Sequence, residues 1–166
     1  MGDFALNLSA DAARILRTAL TDFCADADLR YAAVVQDSGI VLCEHGDPAF
    51  RDNGETGAVA TGAFFAAQAL AQRLGESEFS GLHYEGSARH FFLMSLTTEF
   101  FLLCVFANET RIAVVRACAR RALPSLASAL GRITSKSAEQ GDLALSALPE
   151  HFAAVGGPFA PTAGRF

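Results

Sequence analysis

The sequence predicts an α+β domain in which helices pack on one five-stranded antiparallel sheet. Apolar residues recur at helical spacing near the start, in the middle and near the end of the chain, and five short apolar runs between them have the length of strands. The connections within each group of strands are short, which favours antiparallel neighbours. The predicted order of elements is α-β-β-α-β-β-β-α, followed by a tail.

The first part of the chain predicts a helix and a hairpin. Ser9 is a good N-cap for a helix over residues 9–26, whose apolar residues repeat every three or four positions. Strands are predicted over residues 31–36 and 40–45. The short turn between them ends in Gly39, so the two strands form a hairpin. A polar loop over residues 47–55 leads to the next element.

The middle of the chain predicts a long helix and three strands. The helix covers residues 56–74 and is stopped by Gly75. Strands are predicted over residues 79–85, 90–97 and 99–106. The last two strands are apolar at almost every position, so we expect them to be central and covered on both faces, or covered by helices on one face and by a partner on the other.

The end of the chain predicts a last helix and a tail. The helix covers residues 109–132, and Pro124 is expected to kink it because proline lacks the N–H group and clashes one turn back. Beyond it the sequence becomes rich in Ser, Ala, Gly and Pro. We therefore predict one domain over residues 1–133 and a flexible tail over residues 134–166, with a short helix near residues 142–148.

Composition and charge exclude some classes of function. The 166 residues are 51% hydrophobic and 19% charged, an apolar surplus that suggests a surface buried against another chain. The net charge of −5 argues against a nucleic-acid partner. Four cysteines without a CxxC pair indicate a reducing compartment. We see no signal peptide and no membrane span, and expect a cytoplasmic protein.

The middle helix has an unusual outer face, since Arg73 is the only charge in its interior. On a helical wheel one apolar arc is the natural candidate to face the sheet: Val59, Ala63, Ala66, Leu70 and Leu74. A second arc of small residues and one phenylalanine allows close approach of another helix: Ala58, Gly62, Phe65 and Ala69. Beside it lies a strip of Thr61, Gln68 and Gln72, with Phe64 on its far flank. We interpret these faces as a dimer or partner surface; the alternative is a helix that is simply well buried within one chain.

The sequence contains no recognisable catalytic motif. It lacks GxxxxGK[ST], GxSxG and HExxH, so we expect no enzyme, no cofactor and no metal. The four histidines have no metal-ligand spacing with the cysteines. His83 and His90 flank a predicted turn and can approach each other across strands, which we interpret as a solvated pair rather than a pair of ligands. The cluster of Arg116, Arg120 and Arg121 is interpreted as a solvated basic face.

Several segments in order resemble the Roadblock (dynein light chain) family. They are the hairpin at residues 34–39, the run Leu-Gly-Glu-Ser-Glu-Phe at 74–79, the turn Tyr-Glu-Gly at 84–86, the apolar strand at 100–106, Asn-Glu-Thr at 108–110 and Val-Val-Arg at 114–116. The resemblance covers about residues 9–130. It implies a Roadblock-like fold, with the long middle helix on one face of the sheet and two terminal helices.

Within that family the chain resembles the bacterial MglB-like proteins, which are homodimeric activators of a small Ras-like polarity GTPase. The resemblance implies a homodimer paired through the middle helix and the neighbouring strand, and a GTPase that supplies its own catalytic residues. We therefore predict a dimer interface at Ala58, Gly62, Phe65 and Ala69. A partner surface is predicted at Thr61, Phe64, Gln68 and Gln72. The alternative is a non-catalytic dimeric scaffold that joins components of a signalling, polarity or motility complex.

Overall fold

The computed structural model describes residues 10–51 and 54–146, with side chains up to residue 133. Three helices lie at the start, middle and end of this range: α1 (Ala10–Asp26), α2 (Thr56–Arg73) and α3 (Ile112–Ser146). Five strands lie between them: β1 (Leu29–Gln36), β2 (Val41–Gly46), β3 (Leu82–Glu85), β4 (Arg89–Ser95) and β5 (Phe100–Ala107). A short 3-10 turn over Pro48–Phe50 follows β2. The predicted order of elements is confirmed.

The strands form one antiparallel sheet in the order β2-β1-β5-β4-β3. The α+β fold and the five-stranded antiparallel sheet are therefore as predicted. The strand β5 occupies the centre, where it pairs with β1 on one side and β4 on the other. Its first five residues are all buried, as expected of a strand that is apolar on both faces. The strand β3 lies at one edge of the sheet and has only four residues.

The two faces of the sheet carry different helices. One face packs against α1 and α3 through a large cluster that includes Leu16, Leu20, Phe106 and Leu126, all of them fully buried. The other face packs against α2 through a smaller cluster around Phe64, in which β1, β4 and β5 take part. The sheet is therefore the middle of three layers, with the long middle helix on one face and the two terminal helices on the other.

The cysteines pack as apolar side chains. Cys104 is fully buried and Cys24 is nearly so, both in the cluster between the sheet and α1 and α3. Cys43 is half-buried against the same cluster. Burial raises the pKa of Cys24 to about 11 and the pKa of Cys104 well above its usual value, because the thiolate would lose its hydration. Burial therefore disfavours the reactive thiolate form of Cys24 and Cys104, and all four cysteines are free.

The helix α2 is held at both ends by glycine. A Cβ atom at Gly57 would collide with the carbonyl oxygen of Gly39, so the first turn of α2 lies directly on the turn between β1 and β2. At the other end Gly75 has a φ of 85°, the left-handed conformation that glycine adopts readily. The N–H groups of Gly75 and Glu76 donate to the carbonyls of Gln72 and Ala71 at 3.1 and 3.0 Å, which is a Schellman motif. The predicted stop at Gly75 is confirmed.

The last helix is longer than predicted. It continues through Pro124 and past Arg132 to Ser146. Proline inside a helix costs about 3 kcal/mol. Burial of Leu126, Leu130 and Ile133 in the core beyond it offsets that cost. The helix therefore crosses the predicted boundary between residues 133 and 134, and takes in part of the predicted short helix at 142–148. The rest of the tail, residues 147–166, lies outside the described residues.

Among the described helices, none combines the length and apolar character that crossing a membrane requires.

The contact between Gly57 and Gly39 gives a prediction about stability. Gly57→Ala should lower the free energy of unfolding by about 1–3 kcal/mol, because the added methyl forces α2 away from the sheet. Gly131→Ala is the matched control, since a Cβ at this exposed position in α3 meets nothing within 4 Å. It should raise the free energy of unfolding by about 0.5–1 kcal/mol. Urea unfolding curves that show the same effect for both variants would contradict the assigned position of α2.

Candidate interaction surface on the middle helix

The sheet-facing side of α2 consists of Gly57, Ala60 and Phe64. These positions are three and four residues apart, as one face of a helix requires. The ring of Phe64 stacks on Phe101 with a centroid distance of 4.8 Å and an angle of 6°, and meets Phe79 edge to face at 5.2 Å. Only 5% of Phe64 is exposed. The prediction that Phe64 lies on the partner surface is therefore wrong for this chain, because the sheet buries its ring.

The predicted sheet-facing arc is also wrong for most of its members. Val59, Leu70 and Leu74 are 72%, 58% and 74% exposed, and Ala66 is exposed as well. Ala63 alone of the five is partly buried against the sheet cluster. The observed buried face lies about 100° around the helix from the predicted one, which is the angle between successive residues. Large apolar side chains that were expected in the core therefore lie on the surface.

The outward side of α2 contains the four residues of the predicted dimer interface. Ala58, Gly62 and Ala69 are exposed, and Phe65 is 41% exposed. A Cβ added at Gly62 would meet nothing within 4 Å. This side is therefore a smooth strip of small residues, with Phe65 at one flank and Val59 and Leu70 at the other. It is open in this chain, as an interface requires; its role as a dimer interface stays a prediction.

The predicted polar strip lies at the boundary between α2 and the strand turns. Thr61 is half-buried and its hydroxyl donates to the carbonyl of Gln36 at 3.5 Å, at the limit of a hydrogen bond. Gln68 is half-buried and Gln72 is exposed. Gln68 lines a hollow of about 320 Å³ together with Phe65, the β1–β2 turn and the β4–β5 turn. The turns contribute Asp37 and Glu99 to the lining of this hollow, and sequence reasoning did not associate these two residues with α2.

An apolar groove of about 380 Å³ runs along the other flank of α2. The helix contributes Val59, Ala60 and Ala63 to it, with Glu55 and Thr56 at its beginning. The sheet contributes four residues of β4 and β5: Phe91, Leu93, Leu103 and Val105. The groove exists because α2 lies nearest to β1 and leaves part of β4 and β5 uncovered. These strands are therefore covered by α1 and α3 on one face and only in part by α2 on the other, and a partner over the uncovered part stays a prediction.

The apolar surface continues from the groove to the edge of the sheet. Tyr84 of β3 is 54% exposed and its ring stacks on Phe91 at 4.9 Å. The two residues are direct cross-strand partners on the face that also carries α2. Sequence reasoning missed this extension, although Phe91 and Val105 belong to runs that are apolar at almost every position, which is more than a one-sided strand needs. The exposed apolar area therefore spans α2, β5, β4 and the edge strand β3.

The charged cluster on α3 is solvated, as interpreted from the sequence. Arg116, Arg120 and Arg121 are all exposed. Arg121 forms an ion pair with Asp26 at the end of α1. The guanidinium of Arg116 lies over the ring of Phe92, 5.4 Å from its centroid. These contacts occupy two of the three arginines with neighbours in the same chain.

The histidines at the β3–β4 turn are close together. His83 Nε2 and His90 Nδ1 are 3.3 Å apart, and Glu85 lies beside them on the same face of the sheet. Burial lowers the pKa of His83, and the nearby His90 and Arg116 lower it further, whereas Glu85 acts in the opposite direction. The predicted approach of the two imidazoles across the strands is confirmed. The position of Glu85 beside the two histidines was not predicted. It follows from the pairing of Glu85 with His90, which places both side chains on one face of the sheet, and this pairing is known only from the structure.

The arrangement defines a class of protein: a three-layer α+β domain whose middle helix and adjoining strands present an apolar surface. The sequence profile of the Roadblock/LC7 domain matches residues 18–107, more than half of the chain. The chain therefore belongs to the Roadblock/LC7 family. The family and the fold support a regulatory or binding role.

Solved structures with the same fold agree with this assignment. MglB of Myxococcus xanthus superposes with a TM-score of 0.65 at 19% identity, over 75% of this chain and 98% of that one. The gliding protein MglB of Thermus thermophilus gives 0.66 at 22% identity, over 75% and 95%. A structure described as MglB with tetrameric arrangement gives 0.66 at 21% identity, over 75% and 93%. No curated protein matches the sequence. At these identities the likeness establishes the fold.

Two adjacent phenylalanines on α2 provide a test of the orientation of the helix. Phe64→Ala should lower the free energy of unfolding by about 3–5 kcal/mol, because it removes a buried ring from the stack on Phe101. Phe65→Ala should lower it by about 1 kcal/mol or less in dilute protein, because Phe65 is 41% exposed. Chemical unfolding curves give both values, and the reverse order would show that α2 presents the other ring to the sheet.

Proposed function

We propose that the protein is a homodimeric regulator of a small Ras-like GTPase, which acts through the outward side of α2 and has no catalytic centre of its own. The observation that supports it is the exposed apolar surface around a helix with a single interior charge. Val59, Phe65, Leu70 and Leu74 are all more than 40% exposed there. Exposed apolar patches of this kind on small domains mark interfaces with other proteins.

The first occupant of this surface in the proposal is a second copy of the chain. A two-fold interface brings the same patch of both copies together, so a helix with small residues at its centre packs against its own symmetry mate. Ala58, Gly62 and Ala69 allow the two α2 helices to approach closely, and Phe65 flanks the contact. The groove and the ring of Tyr84 lie on the same face of the molecule and extend the area available for burial. The similarity to an MglB protein with a tetrameric arrangement fits a chain that associates with itself.

The second occupant in the proposal is the GTPase, which contacts the platform formed by the paired helices. Gln72 is exposed, and Gln68 is half-buried in a hollow that Asp37 and Glu99 also line, so this flank offers polar and acidic residues next to the apolar ones. Thr61 contributes at the margin. In this proposal the regulator reshapes the switch regions of the GTPase, whose own residues then perform hydrolysis. The proposal includes a bacterial polarity or motility process in the cytoplasm, and the name gliding protein of one similar structure fits motility.

A dimeric scaffold is the second candidate. The burial of Phe64 favours it, because this removes the largest predicted contact to a GTPase from the surface. The remaining polar residues, Gln68 and Gln72, suit binding as well as activation. In that case the same dimer would join components of a complex without changing any rate of hydrolysis.

The two candidates differ in a turnover experiment. A small Ras-like GTPase from the same genome is loaded with GTP or GDP, and both binding and GTP hydrolysis are measured with increasing amounts of the protein. The proposal predicts binding that depends on the nucleotide, and faster hydrolysis at saturation. Gln72→Glu should weaken binding about tenfold, since a charge placed in a contact typically costs about 1–3 kcal/mol. Ser128→Glu, the same kind of change at an exposed site on α3, should leave binding unchanged.

The results of this experiment separate three conclusions. Binding with accelerated hydrolysis supports the regulator. Binding with unchanged hydrolysis supports the scaffold instead. Absence of binding in both nucleotide states would contradict the proposed GTPase partner. Equal loss of binding in Gln72→Glu and Ser128→Glu would contradict the assignment of the partner surface to α2.

A further inference from the structure

The β3–β4 hairpin brings three metal-binding side chains together on the face of the sheet that carries α1 and α3. His83 and Glu85 are two residues apart in β3 and point to the same face. His90 lies opposite Glu85 in β4. One nitrogen or oxygen atom from each residue lies within 4.8 Å of the other two. We propose that His83, Glu85 and His90 form a three-ligand site for a zinc ion, with a fourth position that faces solvent.

The distance between the two imidazole nitrogens fits zinc. Zinc binds histidine nitrogen at about 2.0–2.1 Å in a tetrahedron, which places two such nitrogens about 3.3–3.4 Å apart. The observed distance between His83 Nε2 and His90 Nδ1 is 3.3 Å. Without a metal, the same pair forms an N–H···N hydrogen bond when one ring carries the proton on the facing nitrogen, so the distance suits both states. The carboxylate of Glu85 is exposed and free to rotate, so it closes the remaining gap without a change in the backbone.

The surroundings hold the two imidazoles in place. The ring of His83 stacks on the ring of Phe106 with an interplanar angle of 14°. The ring of His90 contacts the same phenylalanine in a tilted arrangement, with a centroid distance of 5.4 Å. Phe106 is fully buried, so its ring is a fixed support. The turn between the strands is closed by a hydrogen bond from the N–H of Gly86 to the carbonyl of Arg89 at 3.0 Å. The two imidazoles are therefore preorganised by packing and by the tight turn, and only the Glu85 carboxylate has to reorient to complete the site.

The charge balance and access also suit a divalent cation. Two neutral imidazoles and one carboxylate are the ligand set of zinc sites that keep one position open to water. Both histidines are partly exposed, and His83 lies in the edge strand β3, which gives the ion a path from solvent. The guanidinium of Arg116 nearby opposes a cation, but it is exposed, so water screens its charge.

A bound ion would fasten β3 to β4. The strand β3 has only four residues, and among the described strands it pairs with β4 alone. A link from two residues of β3 to one of β4 would stiffen the edge of the sheet. This inference is independent of the proposed GTPase partner, because the ligands lie on the opposite face from α2.

Calorimetric titration of the full chain with zinc chloride tests the site. We expect one zinc ion per chain. His83→Gln and His90→Gln should each weaken binding by about a hundredfold or more, since loss of a ligand costs at least as much as loss of a supporting contact. His45→Gln is the matched control, because His45 lies in β2 and contacts Thr21 at 3.2 Å, away from the cluster. Its affinity for zinc should equal that of the unchanged protein.

A second measurement on the unchanged protein guards against loss of folding in the variants. In NMR spectra of the imidazole groups, zinc should shift the resonances of His83 and His90 and leave those of His45 in place. Shifts confined to His83 and His90 support the site. No binding of zinc, equal binding in all three variants, or shifts at His45 alone would overturn the proposal and assign any bound zinc to other ligands.

Discussion

The stack of Phe64 on Phe101 determines which side of α2 the sheet buries, and the exposed surface of the molecule follows from it. Once this ring lies on β5, the short residues Gly57 and Ala60 must face the sheet as well, because they lie seven and four positions before it on the helix. Val59, Leu70 and the small outward residues then have no cover within the described part of the chain. The same packing that completes the core therefore creates the surface on which the proposed function depends.

Much of the fold was predictable from the sequence because its signals are local. The order of the elements, the Gly75 stop and the turn between β3 and β4 each depend on nearby residues and appear in the structure as predicted, although β3 begins at Leu82 and not at residue 79. The rotation of α2 was not predictable in the same way. Apolar and small residues occur all around this helix, so the wheel gives no strong preference for one side. The close approach of Gly57 to Gly39 and the fit of Phe64 against Phe101 and Phe79 decide the rotation, and both depend on contacts distant in sequence.

In the candidate sites too, some features could be predicted from local sequence and others depend on contacts between residues distant in sequence. The outward residues Ala58, Gly62, Phe65 and Ala69 were identified from the helix alone and are open in the structure. The groove beside α2 requires knowledge of how far the helix covers the sheet. The histidine pair was foreseen from the short turn, whereas Glu85 joins it only through the register of β3 with β4. The last helix runs through Pro124, as predicted, because burial of residues beyond it outweighs the cost of the proline, and it then continues past its predicted end at residue 132.

The central claim is that the outward side of α2 is the interface between two copies of the chain. The most direct test compares the molar mass in solution of Gly62→Arg and Gly131→Arg by light scattering. Both changes place an arginine at an exposed helical glycine with no atom within 4 Å of the added Cβ, one on α2 and one on α3. The account predicts that the unchanged protein and Gly131→Arg are dimers and that Gly62→Arg is a monomer. A dimer that survives Gly62→Arg would contradict it.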